Sequence, residues 1–122
     1  MLTYVTFFSY TSEAWERMID TPENRAFAAR KLIERVGGRM EVFYWMFGEW
    51  DGFVVYEVDD SPIAATLSGV AIASGLIGRV KTQQLLRMDE VHAALDLAHT
   101  LESAYVPPGG QRAWYPDYES RG

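Results

Sequence analysis

The residues best suited to chemistry fall into three groups along the chain. In the first, Gly48-Glu49-Trp50-Asp51-Gly52 places two carboxylates in a short turn, with Tyr44 just upstream. A carboxyl drawn into a pocket mouth, its pKa raised, serves as a general base, and a phenol supplies or accepts a proton. Glu49, Asp51 and Tyr44 are therefore the catalytic candidates. The same residue types also build an ordinary hairpin, with glycine taking positive φ and Asp51 bonding within its own turn.

The second group is aromatic: Tyr4, Phe8, Phe43, Tyr44, Trp45, Phe47, Trp50 and Tyr56. Such a lining, with a few hydroxyls, suits a pocket for an apolar or aromatic ligand. The alternative is the packed core of a dimer. The third group is His92-x-x-x-Asp96-x-x-His99, three side chains on one side of a helix. Imidazole and carboxylate suit zinc or another divalent metal. The two histidines, however, stand two turns apart, on the order of 10 Å along the axis, too far for one mononuclear site. His92 with Asp96, or Asp96 with His99, would hold a metal only weakly, and a solvated helix face explains them as well. No cofactor is expected. There is no glycine-rich phosphate loop after a strand, no Gly-x-Ser-x-Gly and no His-Glu-x-x-His, so hydrolase and nucleotide-transfer readings lack support.

These groups must be positioned by regular elements. Leu2 to Tyr10 is rich in β-formers and reads as a strand. Ser12 caps a short amphipathic helix carrying Trp15, Met18 and Ile19. Thr21-Pro22 then reads as a second helix start. Ala26, Ala29, Ile33 and Val36 give that helix a core face, and Gly37-Gly38 ends it. Arg39 to Phe47 and Phe53 to Val58 read as strands joined by the Gly48–Gly52 turn. Ser61-Pro62 opens a helix to about Leu76, and Val80 to Met88 is a fourth strand suited to an edge, with Lys81, Gln83 and Arg87 along it. Asp89 caps a last helix through roughly Ser103, with Val91, Leu95, Ala98 and Leu101 on one face. Pro107-Pro108-Gly109-Gly110 stops it. An irregular tail follows with Trp114, Tyr115 and Tyr118, expected to lie across a neighbouring protomer or to close a pocket.

The order is βαββαβ plus an appended helix. Two right-handed crossovers interleave into a four-stranded antiparallel sheet with both helices on one face. The domain divides as 1–88 for this fold, 89–104 for the helix and 105–122 for the tail. Along the second strand, Met40, Val42, Tyr44 and Met46 point one way and Phe43, Trp45 and Phe47 the other, so it is apolar on both sides. The first and third strands behave alike. Two helices cover only one face, and an aromatic patch of this size is rarely left to water. The simplest cover is the same face of a second protomer, giving a homodimer. The alternative is that the last helix and tail fold back over the sheet.

Composition narrows the partners. The chain has 122 residues, enough for one core, and a formal charge of -6, which repels phosphate backbones and argues against nucleic acid. It lacks cysteine, so disulfides and thiolate chemistry are excluded. The longest uncharged run, Ser61 to Gly78, is made mostly of small residues, and a buried, tightly packed helix fits it better than a membrane span. With no signal-peptide pattern at Met1-Leu2-Thr3-Tyr4-Val5, the expected location is the cytoplasm.

Tyr4, Pro22 with Arg25, Gly37-Gly38, Tyr44, Gly48-Glu49-Trp50-Asp51 and Gly78-Arg79-Val80-Lys81-Thr82 together resemble the GYD-domain family over about residues 2 to 88. The resemblance implies a ferredoxin-like α+β fold of the dimeric α+β-barrel superfamily. It implies no activity, because that superfamily hosts enzymes, sensors and proteins without known chemistry. Trp50 stands where the family's name expects tyrosine, and residues 89 to 122 extend past the usual domain. The expectation is a homodimer, or a higher homo-oligomer, that binds a small apolar or aromatic molecule. One rival is a cofactor-free enzyme of the monooxygenase or isomerase type. The other is a structural assembly module built on the small-residue helix from Ala64 to Ser74 and the tail.

Overall fold

The first strand, β1 (Leu2–Tyr10), lies inside the sheet and carries much of its apolar surface on both sides. The structure, a computed structural model, describes residues 1–109, so the tail aromatics Trp114, Tyr115 and Tyr118 lie outside the described residues. After β1 come α1 (Ser12–Asp20), α2 (Arg25–Arg35), β2 (Arg39–Trp45), β3 (Gly52–Val58), α3 (Ser61–Ala73), β4 (Ile77–Leu85) and α4 (Met88–Leu101), then a 3₁₀ turn, Glu102–Ala104. The strand order is β2-β3-β1-β4 with every neighbouring pair antiparallel. This is an α+β, ferredoxin-like fold. Met1–Leu85 forms one compact unit and the chain from Leu86 a second.

Local chemistry sets the element ends, in several places one or more residues from where the sequence suggests. Thr11, rather than Ser12, caps α1: its hydroxyl accepts from the Ala14 N–H at 3.2 Å. Thr21 does not open α2, because its N–H closes α1 on the Arg17 carbonyl at 2.8 Å. Asn24 caps α2 instead, accepting from Phe27 N–H at 3.1 Å, and Pro22 stays in the connection. Asp60 caps α3 through the Ile63 N–H, with Pro62 in the first turn. β2 stops at Trp45, two residues short of Phe47. β4 begins at Ile77 because Ile77 pairs with Tyr10 past an irregularity at Ser9/Tyr10. α4 begins at Met88, where Glu90 accepts from the Arg87 N–H at 3.1 Å, so Asp89 lies within the first turn rather than at the cap.

Gly37 and Gly38 end α2 for different reasons. Gly37 takes φ +79° and its N–H bonds the Glu34 carbonyl, while Gly38 N–H reaches Ile33 at 3.0 Å, a Schellman pair. Gly38 also has no room for a side chain: a Cβ there would lie 2.6 Å from the Glu57 carbonyl oxygen and 2.9 Å from Ile33 and Val58.

The core lies between the sheet and α2 and α3, built on Tyr4, Ile33, Val54, Tyr56, Val58, Ala64 and Leu67. The strict alternation expected of β2 is broken. The register slips between Met40 and Val42, so Met40 faces Tyr56 and Phe43 faces Val54, both on the helix side, while Val42 and Tyr44 turn to the opposite face. α3 is also less buried than its composition suggests. Only Ala64 and Leu67 are buried, and Val70 and Ile72 are 48% and 42% exposed. Among the described residues no helix is long and apolar enough to cross a membrane.

Substituting Gly38→Ala is expected to destabilise the protein by about 1–3 kcal/mol, since the methyl must displace backbone rather than a flexible side-chain end. Urea unfolding of the variant beside the parent chain checks this.

Candidate functional site

Small residues on α2 and α3 stand over large ones on the sheet. Ala28 and Ala29 from α2 and Ser68 and Ala71 from α3 oppose Phe8, Phe43 and Tyr56, and the layers do not close. The space left is a pocket of about 280 Å³, whose wall also includes Leu32, Ile33, Val54 and Leu67. It falls just below the range for ligand sites, about 300–1,000 Å³.

One side of the pocket carries an ordered line of hydroxyls. Thr6 and Thr82 are cross-strand partners and share a hydrogen bond of 2.8 Å. Thr6 also bonds the Tyr56 hydroxyl at 2.9 Å, and Thr82 bonds Ser68 at 3.0 Å. Four hydroxyls joined by three bonds always leave one O–H to donate outside the chain. Both ends of the chain, Tyr56 and Ser68, border the pocket.

The pocket narrows where β1 ends. Tyr10 lines it there, packed against Phe8 at 5.3 Å, Trp45 at 5.4 Å and Trp15 at 5.9 Å between ring centres. Asp51 fixes this corner. Its carboxylate accepts from the Tyr10 backbone N–H at 2.8 Å and from the Trp15 indole at 3.3 Å. Arg25, the first residue of α2, stands beside the Tyr10 phenol within hydrogen-bonding reach and pairs with Glu23 at 2.7 Å. Tyr10, Arg25, Ser74 and Ile77 also border a second, more polar cleft of about 440 Å³, reached past α1. These four residues form a neck between an apolar chamber and a polar vestibule.

The sequence-derived candidates separate into distinct places. Phe8, Phe43 and Tyr56 line the pocket. Tyr4 is buried beside it, stacked on Tyr56 at 6.1 Å, its hydroxyl without a hydrogen-bond partner among the described residues. Trp45 supports the neck. Tyr44 lies on the opposite sheet face, 5.6 Å from Phe53, and Trp50 packs there 6.1 Å from Phe7. Arg79 stacks over Trp50 at 4.1 Å and donates to the Glu49 carbonyl. Phe47 is fully exposed. None of Glu49, Asp51 and Tyr44 is on the pocket wall. Asp51 bonds β1 and α1 rather than its own turn.

In the second unit, His92 lies 3.6 Å from Asp96 and His99 lies 3.8 Å from Glu102, all exposed. Among the described residues no group of three or more His, Cys, Asp or Glu is arranged to hold a metal.

The residues that complete the pocket, Thr6, Tyr10, Arg25, Ser68 and Ala71, were not among the candidate site residues read from sequence, though Arg25 belongs to the family resemblance. Thr6 and Tyr10 share strand parity with Tyr4 and Phe8, and Ser68 and Ala71 are one helical turn apart. A polar residue among aromatics on the covered face was the available signal.

Burial raises the phenol pKa of both Tyr10 and Tyr56 above the ordinary value, with hydrogen bonds from Arg25 and from the threonines pulling partly back. Both phenols are thus held protonated. The folded state keeps protons that the unfolded chain releases above about pH 10, so this contribution is complete below that pH and falls as pH rises through the folded values. Unfolding free energy measured in urea is expected to drop between pH 9 and pH 11, and to drop less steeply in Tyr10→Phe.

No curated protein matches the chain. The GYD domain family matches residues 4–95, which covers the whole ferredoxin-like unit from its third β1 residue and runs into α4. With three quarters of its length matched and the βαββαβ sheet in place, this chain belongs to the GYD domain family.

Proposed function

We propose that this GYD-domain protein binds a small apolar or aromatic molecule in the chamber between its sheet and α2 and α3. The observation that carries the reading is the pocket itself, where Phe8, Phe43 and Tyr56 of the sheet face Ala28, Ala29, Ser68 and Ala71 of the helices, with Leu32, Ile33 and Leu67 completing an apolar wall. The apolar side chains lining this open pocket gain by being covered, at about 25 cal/mol per Å² removed from water. A helix pair evolved only for packing would place larger residues at Ala29 and Ala71.

A cofactor-free enzyme is the rival reading. It needs a group that takes a proton at neutral pH. The pocket's phenols are held protonated by burial, and no carboxylate or imidazole lines it among the described residues. These features support donation of hydrogen bonds to a bound molecule rather than proton abstraction.

We propose also that a second copy of the chain covers the other sheet face. The helices of this unit lie on one side only. Opposite them Phe7, Phe53, Tyr44 and Trp50 form a continuous aromatic cluster beside Val5 and Val55. Arg79 and Lys81 on β4, cross-strand from Ser9 and Phe7, stand towards one edge of that face. Glu57, buried and joined to Arg39, stands with Glu41 towards the other. A two-fold axis along the strands sets these opposite charges against each other.

Ala29→Phe is expected to fill the chamber, abolish binding of 3-phenylpropanamide and leave stability unchanged or raised by about 0.5–2 kcal/mol. Calorimetric titration and urea unfolding read the two effects, and undiminished binding in the variant overturns the site. The parent chain is expected to scatter light as a dimer at micromolar concentration, and Phe53→Glu as a monomer. A monomeric parent chain overturns the assembly.

A further inference from the structure

Among the described residues the chamber has one charged side chain on its wall, Arg25, and that residue sits at the neck where the chamber meets the polar cleft. We propose that the ligand is an amphipathic carboxylate: an aliphatic or aryl body in the chamber, its carboxylate on the Arg25 guanidinium. The inference rests on the pocket reading above and specifies the chemistry of its occupant.

Three observations carry it. Arg25 is partly buried, and Glu23 engages its Nη1 only. A guanidinium has five donors in a planar fork, so its contacts with Glu23 and with the Tyr10 phenol leave donors for a second carboxylate. Beside it, the Tyr10 phenol is a neutral donor whose burial keeps its proton in place. Together the two can hold both oxygens of one carboxylate. The surroundings then select the charge of the head. The cleft beyond the neck sets Arg17 and Arg25 against Asp20 and Glu23, and Arg17 is itself paired with Glu13 at 2.9 Å. That cleft has no surplus of positive charge for a phosphate dianion, and a cationic head would meet Arg25 directly. The chamber, at about 280 Å³, has the space of roughly nine water molecules at about 30 Å³ each, which suits a body of about that many non-hydrogen atoms.

The test titrates the full chain with two matched pairs, octanoate against octanamide and 3-phenylpropanoate against 3-phenylpropanamide. Binding is read by calorimetry and by the fluorescence of Trp15 and Trp45, whose rings pack on Tyr10. Each acid is expected to bind about tenfold or more tightly than its amide, the effect of one charge-assisted hydrogen bond. In Arg25→Gln the ratio is expected to fall below about twofold, with the amide affinity within about twofold of the parent's. The retained amide affinity shows that the variant is folded with its chamber intact. Equal binding of acid and amide to the parent chain overturns the head-group inference and leaves the apolar pocket standing. A preference that survives Arg25→Gln, or loss of the amide along with the acid, overturns the role of Arg25. Failure of all four probes to bind overturns both the inference and the pocket reading.

Discussion

Everything that sets this molecule apart from a filled ferredoxin-like domain follows from one mismatch in side-chain size. Aromatic rings from β1, β2 and β3 project towards α2 and α3, and those helices answer with Ala28, Ala29, Ser68 and Ala71. Cores close when large residues interdigitate with small ones across facing positions. Here the helices rest on Ile33, Ala64 and Leu67 and stand off the sheet beyond them. The backbone beneath is held regardless, because the antiparallel ladders of β1 with β3 and β4 do not depend on the helices for their hydrogen bonds. The gap is therefore a feature of a stable frame rather than a symptom of a weak one.

The polar groups around the gap are organised around strand ends and register. Thr6 and Thr82 meet because the β1–β4 register sets them opposite, and the line of hydroxyls extends from that pair to Tyr56 and Ser68. Asp51 ties three pieces of chain together: the end of the β2–β3 turn, the last residue of β1 and the indole of α1. A residue that looks catalytic by type thus acts by position, holding Tyr10 and its aromatic neighbours at the neck. Arg25 reaches the same neck because Asn24, not Thr21, starts α2.

The two faces of the sheet divide the aromatic residues between different tasks. Phe8, Phe43 and Tyr56 belong to the covered side, and Tyr44, Phe53 and Trp50 to the open one. The bulge in β2 makes that division, since it puts Met40 and Phe43 on one side and Val42 and Tyr44 on the other. Without it, Tyr44 and Met40 would share a face. A list of aromatics read from sequence merges two surfaces that the fold keeps about one sheet thickness apart.

Strand and helix identity, the βαββαβ order and the ferredoxin-like class were legible in the residues themselves, because periodicities of 2 and 3.6 and the turn signals at Gly37-Gly38 and Gly48–Gly52 are local properties. So was the argument that two crossovers cover one face of a four-stranded sheet. The covered face, the caps and the pocket were not. Whether Met40 sides with Val42 or with Phe43 depends on a one-residue slip that leaves no mark in composition. The choice of Asn24 over Thr21 depends on the Thr21 backbone N–H being already used to close α1. The chamber depends on helices and strands distant in sequence failing to touch. Residue types along one chain determine what each segment becomes; only the packing of segments against each other decides where space remains, because a void is a property of pairs of surfaces and of neither alone.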